Sequence, residues 1–268
     1  MLVARGLAES RPQAVELISR GVVLVSGSLA DKPARLVSAA EPVELLGDRP
    51  RFVSRGGDKL AAALTRFSLE PTGRRALDAG ASTGGFTDCL LQSGAAQVVA
   101  VDVGHGQLHP KLRHDPRVVN RERLDIRAVD LESVGGTPVD LVVADLSFIS
   151  VTKAVPVLAG SVAVRGAPLV LLVKPQFEAG RVEASRGRGV IRDPEVHRRT
   201  LGEVATALEA VGAVIMGAMP SPLTGHAGNV EFLLYASTPG GSAVSSDTAA
   251  LLDGAVAEVG ARASGPED

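Results

Sequence analysis

Cysteine is almost missing from this chain: among 268 residues only Cys89 occurs. No intrachain disulfide can form, and a reducing compartment is the expectation. Cys89 falls in a segment with helical spacing, which suits a small buried residue better than a nucleophile. Tryptophan is absent, tyrosine occurs once, and aromatic residues make up 3% of the chain. Little is therefore available for reading bases on stacked aromatic platforms. No run of about 18 apolar residues exists, so no membrane span is expected. The first residues lack a basic stretch followed by an apolar one. A secretory leader is not expected, and a cytoplasmic location is. The histidines (His105, His109, His114, His197 and His226) show no metal-ligand spacing, so no metal is expected.

A hydrophobic content of 45% is enough for a sizeable core, and the length allows one large domain and one small one. The formal net charge of −2 points to no partner, but its distribution is uneven. Residues 236–268 carry five acids against Arg262 alone. Bases cluster at Arg49, Arg51, Arg55 and Lys59, and again at Arg181, Arg186, Arg188 and Arg192. Such clusters suit phosphate contacts or solvated faces equally well.

Residues 1–48 read as a small α+β module. Ser10 can cap a helix that opens at Arg11-Pro12, with Ala14, Leu17 and Ile18 at helical spacing. Gly21 ends that helix, Val22–Val25 reads as a strand turning at Ser26-Gly27-Ser28, and Val43–Leu46 as another strand. The pattern Arg5-Gly6-Leu7-Ala8, Ser10-Arg11, Ile18, Gly21, Val23, Val25, Gly27 and Lys32-Pro33 resembles the RNA-binding domain named after ribosomal protein S4. Members of that domain family open with further residues, whereas here Met1-Leu2-Val3 already stand in the first helix, so weaker RNA contact along that edge is expected.

Arg49-Pro50-Arg51-Phe52 reads as a linker (49–52). From residue 53 to 240 an α/β alternation takes over. Strands are predicted at 75–79, 97–102, 117–120, 139–144, 168–173, 213–218 and 230–235. Helices are predicted at 57–68, 84–93, 150–158 and 195–211. The alternation implies a mostly parallel, seven-stranded, Rossmann-like sheet with helices on both faces. The last two strands follow each other directly and so suit an antiparallel pair at one edge. Residues 241–268 are read as an acidic tail, with a short helix around Leu251, Leu252, Val256 and Val259.

Between the first strand and its helix stands Asp78-Ala79-Gly80-Ala81-Ser82-Thr83-Gly84-Gly85-Phe86. Glycines there let the backbone turn sharply and approach a ligand closely. A pyrophosphate would be repelled by Asp78, whereas an amino group or a sugar hydroxyl would hydrogen-bond to it. The dinucleotide pattern G-x-G-x-x-G is missing. S-adenosylmethionine is therefore favoured over NAD, with Asp78, Gly80, Ala81, Ser82, Thr83, Gly84, Gly85 and Phe86 as the candidate cradle.

Ligands of open parallel sheets sit beyond the carboxyl ends of the strands. Asp102 ends the second predicted strand and can accept two hydrogen bonds from a ribose diol. Asp125 follows the third, where it can meet an adenine amino group or simply face solvent. Asp145 ends the fourth. Lys174 closes Leu169–Val173 on the fifth, a costly place for a lysine unless it is paired or used. Glu231 stands inside an apolar run, and so faces solvent or is used.

Six ordered stretches carry a wider resemblance: Ser54-Arg55-Gly56-Gly57-x-Lys59-Leu60; the Asp78 turn; Val101-Asp102-Val103-Gly104; Asp145-Leu146-Ser147-Phe148-Ile149-Ser150; Lys174-Pro175-Gln176-Phe177-Glu178; and Ser221-Pro222 with Gly228-Asn229-x-Glu231. Together they are similar to the TlyA family, whose catalytic domain is of the FtsJ ribose-methyltransferase type. The resemblance runs from residue 1 to about Tyr235. It implies S-adenosylmethionine-dependent 2′-O-methylation of cytidine in ribosomal RNA, 16S, 23S or both. Separately, a monomer is expected. The family's Lys-Asp-Lys-Glu tetrad falls on Lys59, Asp145, Lys174 and Glu231, and Asp145 also borders the cofactor. RNA contact is implied for Arg5, Arg11, Arg20, Lys32 and Arg55. Around Gly104–Leu108 the chain departs from the family by carrying His109-Pro110.

The implied chemistry asks for these residue types. A ribose 2′-hydroxyl holds its proton tightly, and a neutral Lys174 could take it while the methyl group moves in line. Burial, the nearby Lys59 ammonium and a positive sulfur favour the neutral amine. Asp145 opposes that effect while fixing the amine's direction. Glu231 can anchor Lys59 and hold the ribose.

Overall fold

The computed structural model describes residues 1–8, 11–19, 21–46, 50–180, 183, 189–225, 228–241 and 247–263. The chain divides into two units, Met1–Ser54 and Arg55–Asp268. Ser10, Arg20, Arg49, Arg181, Arg186, Arg188 and His226 lie outside the described residues.

In the first unit a 3-10 turn (Val3–Arg5) takes the place of the helix expected at Met1-Leu2-Val3. Helix α1 (Arg11–Ser19) follows, and Gly21 leaves it at a φ of 65°. Strands β1 (Val23–Val25) and β2 (Ser28–Leu29) form a hairpin whose two-residue turn, Ser26-Gly27, has φ of 52° and 78°. Two left-handed residues in succession match the right-handed twist of the strands they join. Strand β3 (Val43–Leu45) pairs with β1 on its other edge. Leu2, Ala8, Leu17, Val23, Val25 and Ala30 form a small core of their own.

The second unit is an α/β sheet. It contains β4 (Arg75–Ala79), β5 (Gln97–Asp102), β6 (Val118–Glu122), β7 (Leu141–Ala144), β8 (Pro168–Val173), β9 (Val214–Pro220) and β10 (Phe232–Ser237). The spatial order is β6-β5-β4-β7-β8-β10-β9. The first five strands are parallel, and β10 runs antiparallel to both its neighbours. The chain winds outward from β4 in one direction and then, through β7, in the other. The switch between β4 and β7 opens a crevice beyond the strand ends. The interior strands read as unbroken apolar runs because helices cover both faces: Val98 to Val101 and Leu169 to Val173 are all buried.

Helix α2 (Gly56–Arg66) packs on α3 (Gly85–Gln92). Two short helices follow, α4 (Pro110–Arg113) and α5 (Pro175–Glu178), each opened by a proline, whose missing N–H is no loss in a first turn. The long α6 (Pro194–Ala210) is capped by Asp193, whose side chain accepts from Glu195 N–H.

Two expectations need correction. Residues 150–158 are not one α-helix: a 3-10 turn spans Val151–Lys153 and a π-helical stretch spans Val157–Ser161. Pro156 removes a donor, and Val151, Thr152, Val155 and Val157 are β-branched, so a regular α ladder does not run through. Nor is the stretch after residue 240 simply an acidic tail. Thr248–Ala263 is a 16-residue helix, α7, that packs on β9 and α6. It carries Leu252 and Ala255 into the main core, with Leu251, Val256 and Val259 against it. Of the acids counted in this segment only Asp253 and Glu258 lie on the helix, and its apolar spacing outweighs them. The ends of β6, β7, β9 and β10 also shift by one or two residues, and β6 runs on through Arg121 and Glu122 at the sheet edge.

Candidate active site

The turn after β4 is shaped by close approaches. Gly80 has a φ of 85°, and a Cβ there would lie 2.5 Å from the carbonyl oxygen of Asp145. Glycine thus lets β4 and the end of β7 meet. Gly84, at a φ of 97°, caps α3 and leaves no room for a Cβ against Leu108 and Leu112. Gly85 and Phe86 are buried in the first turn of α3, and the Thr83 carbonyl accepts from His109 N–H at 3.2 Å.

A cavity of about 410 Å³ opens at the switch point. Gly80, Ser82, Asp102, Asp125 and Asp145 border it, together with Gly104, Gln107, Leu124, Ile126, Ile149 and others. Among the expected cradle residues, Asp78, Ala81, Thr83, Gly84, Gly85 and Phe86 do not border it: they build the turn instead. The Asp102 carboxylate accepts Ser82 N–H at 2.8 Å and Gly104 N–H at 2.6 Å. Each oxygen keeps a lone pair for a further donor, such as a ribose hydroxyl. The Ser82 hydroxyl donates to Gln107 Oε1 at 3.3 Å. Apolar walls at Leu124, Ile126 and Ile149 suit a flat ring. An acidic end, an apolar slot and a glycine at the point of closest approach are what a nucleoside with a cationic arm requires.

Asp125 is differently employed than the sequence suggested. Its carboxylate caps a 3-10 turn and forms a forked pair with Arg127, with Nη2 to Oδ2 at 2.5 Å and Nε to Oδ1 at 3.0 Å. The Arg127 hydrogen bonds hold its pKa down at about 2. An adenine amino group would share an acceptor already spoken for. Asp78 lies beneath the turn and is fully buried. Its Oδ2 accepts the Thr87 hydroxyl proton at 2.6 Å, and its Oδ1 has no partner. Burial pushes its pKa up to about 7.

Two ion pairs, one half-buried and one buried, occupy the same strand edge. Lys174, the residue after β8, places Nζ 2.5 Å from Asp145 Oδ1 and donates to the Ser147 hydroxyl at 2.9 Å. The Asp145 oxygen lies off the direction of a hydrogen bond, so this contact is chiefly a charge pairing. Lys59, in the first turn of α2, donates to Glu231 Oε2. Both partners of that second pair are nearly sealed from water, with side chains 10% and 3% exposed. Phe232 pairs with Val173, so one more step of the register sets Glu231 opposite Lys174. The sheet thus gathers Asp145, Lys174 and Glu231, and α2 brings Lys59 to Glu231. Among the described residues no cluster of three or more His, Cys, Asp or Glu side chains is placed to hold a metal. No helix among them is long and apolar enough to cross a membrane.

Three contributors had no role assigned from sequence. Ser147 touches the Lys174 amine, but a serine three residues past a strand end carries no signal of its own. Glu178 accepts from Ser150 Oγ at 2.5 Å and Val151 N–H at 2.9 Å, and so ties α5 to the loop after β7. Burial raises its pKa. Glu122 fastens the loop after β5.

In the first unit Arg5 does not stand free: its guanidinium donates to the carbonyls of Ser38, Ala39 and Glu41. Its three bonds brace the 38–41 turn. Arg11 and Lys32 are exposed on the rim of a largely apolar groove within that unit. Arg55 precedes α2 in the second unit, where its carbonyl accepts Lys59 N–H.

Comparison with known proteins adds the following. The FtsJ-like methyltransferase family matches residues 52–238, and the S4 domain family matches residues 1–43. A Mycobacterium tuberculosis protein named 16S/23S rRNA (cytidine-2'-O)-methyltransferase TlyA is 51% identical over 238 residues, 88% of each chain. A Brachyspira hyodysenteriae protein named hemolysin A is 37% identical, over 87% of this chain and 95% of its own. The solved structure of a Streptococcus thermophilus protein described as a hemolysin superposes with a TM-score of 0.77 at 36% identity, covering 98% of this chain and 96% of its own.

Proposed function

The chain belongs to the FtsJ-like methyltransferase family and carries an S4 domain ahead of it; from that premise we propose that it methylates the 2′-hydroxyl of cytidine in ribosomal RNA, using S-adenosylmethionine. The observation that carries the reading is the pairing of Lys174 with Asp145 beside the cavity, with Lys59 and Glu231 paired on the same edge. S-adenosylmethionine supplies an electrophilic methyl carbon on a positively charged sulfur. Asp102, Ser82 and Gly80 would hold its adenosine and fix its distance from the Asp145 end of the cavity.

Lys174 acts at Nζ. As a neutral amine it would accept the 2′-hydroxyl proton, while bound S-adenosylmethionine would supply the methyl group to that oxygen and its sulfur would leave as a neutral thioether. Ser147 and Asp145 hold that amine from two sides, so its lone pair points in one direction. Proton transfer to a positioned base contributes roughly 10²–10⁴-fold, and alignment of the reacting atoms much of the rest. Glu231 keeps the Lys59 ammonium in place, and that ammonium is a donor for the ribose or its phosphate. The S4 domain gives the enzyme a second grip on RNA and so favours a structured, ribosomal substrate. Such a substrate places the enzyme in the cytoplasm.

The test is transfer of labelled methyl groups from S-adenosylmethionine to intact ribosomes and to separated subunits. Wild-type protein is expected to label RNA at cytidine ribose. Lys174→Ala is expected to lose transfer by about 10³-fold or more while binding S-adenosylmethionine within about threefold of wild type. Full activity in that variant removes Lys174 as the base. Absence of label in every RNA removes the reading itself.

A further inference from the structure

The loop after β5 forms one wall of the cavity: Val103, Gly104 and Gln107 border it. Half of that wall is held by Asp102 through Gly104 N–H. The other half is held from outside the cavity, by a residue that does not border it. Glu122 ends β6, one strand further out. Its Oε2 accepts Gly106 N–H at 2.9 Å and lies 2.8 Å from His105 Nδ1. A carboxylate oxygen can only accept, so Nδ1 carries the proton of that contact. Its Oε1 accepts from Arg113 Nη2 of α4 at 2.8 Å. These bonds, led by the Gly106 amide, hold the Glu122 carboxyl down at about 2. The next two residues continue the fastening: Arg123 N–H donates to the Gly104 carbonyl and Leu124 N–H to that of Asp102, both at 3.0 Å. Arg123 takes a left-handed φ of 58° to do so.

The loop needs such a fastening. Gly104 and Gly106 give it two residues with little conformational preference, and Gly106 sits at a φ of 71°. His105 is 60% exposed on its side chain. Without the Glu122 carboxylate the segment would keep its ties through Asp102, Arg123 and Leu124 but lose its anchor at His105 and Gly106, and ordering that stretch would fall to the ligand. We propose that Glu122 is a positioning residue for the adenosine half of S-adenosylmethionine: it pre-forms the ribose wall and sets cofactor affinity without touching the cofactor. The inference rests on the methyltransferase reading of this cavity and adds to it a determinant that does not border the cavity.

The test is calorimetric titration of the full chain with S-adenosylmethionine and, separately, with adenosine. Wild type, Glu122→Ala, Glu122→Gln and the surface control Arg117→Ala are compared. Glu122→Ala is expected to weaken both ligands by the same factor, about 10-fold or more, since three charge-assisted contacts go together. Glu122→Gln keeps an acceptor for Gly106 and should recover part of the loss, about threefold weaker than wild type. The turnover rate at saturating cofactor is expected to stay within about twofold in both, because the reacting atoms are held elsewhere. Arg117→Ala should match wild type. Unchanged affinity in Glu122→Ala overturns the inference, as does a fall in saturated turnover equal to the fall in affinity. A wild-type protein that binds neither ligand overturns the cofactor reading instead.

Discussion

Asp78 offers a sharp test of how the glycine turn is supported. It is fully buried, with Oδ2 on the Thr87 hydroxyl and Oδ1 without a partner. Burial lifts its pKa from 3.8 to about 7. The native state therefore keeps a proton that the unfolded chain has already released. Stability is greatest below pH 3.8 in this one respect, and declines as pH climbs from there to about 7. At about 1.4 kcal/mol per unit the whole decline is about 4 kcal/mol, of which about 2 kcal/mol falls between about pH 5.5 and about pH 8.5. Asp78→Asn cannot ionise. Its amide oxygen can still accept from Thr87, but its NH₂ takes the unpartnered position and costs about 1–3 kcal/mol at every pH. Urea unfolding of both proteins at the two pH values isolates the effect, because every other titrating group is shared and cancels. The wild type is expected to lose about 2 kcal/mol relative to the variant over that interval. The variant should thus start out less stable and close the gap, or overtake, in alkali. Parallel pH curves would refute the reasoning, since they would mean that native Asp78 is ionised near its ordinary pKa.

Gly80→Ala drives a Cβ to 2.5 Å from the Asp145 carbonyl at a φ of 85°. A left-handed alanine alone costs about 1–2 kcal/mol, and the collision displaces Asp145, so S-adenosylmethionine binding by calorimetry is expected to fall below detection. Glu231→Gln leaves the buried Lys59 ammonium without its counter-charge. A loss of about 3–5 kcal/mol in chemical denaturation is expected, and Lys59→Met in the same chain should restore much of it without restoring methyl transfer. Leu252→Ala removes a side chain that α7 places in the main core. A cost of about 2–5 kcal/mol is expected, whereas a surface-like value below about 0.5 kcal/mol would return this segment to a loose tail.

The sheet was legible in the sequence because its strands are buried on both faces, and so appear as short unbroken apolar runs between glycine and proline turns. Val98–Val101 and Leu169–Val173 could be little else. The turn at Gly80 was legible because only a close approach or a left-handed backbone makes glycine useful there, and both occur. Hydrogen-bond partnerships were not legible. Asp125 looked like a free acceptor at a strand end, and only the structure puts Arg127 across it. Arg5 was expected to contact RNA, and three carbonyls of its own unit accept from it. In both cases a neighbour's reach decided the outcome, and that reach depends on backbone angles rather than on residue type. The helix at Thr248–Ala263 was undervalued for a different reason. The charge of the segment comes mostly from acids outside the helix, while the helix's burial rests on a few apolar positions at helical spacing.

Glu231 shows how topology turns an ambiguous residue into a site residue. Read along the chain, it interrupts an apolar run, and the choice between solvent and use stays open. In the structure β10 begins at Phe232, so Glu231 stands just before the strand instead of within it. Asp145 and Lys174 stand just after theirs. Strands β7 and β8 run parallel, but β10 is inserted antiparallel beside β8. The start of an antiparallel strand lies at the same sheet edge as the ends of its parallel neighbours. One reversal of direction therefore brings a residue from before a strand to the two that follow strands. The same reversal fixes the register, Phe232 against Val173, that sets Glu231 opposite Lys174. Shifting that register by one residue would turn Phe232 out of the core and Glu231 to the opposite face. A buried Phe232 and a placed Glu231 are thus the same constraint, and the packing that stabilises the sheet also aims the carboxylate that holds Lys59.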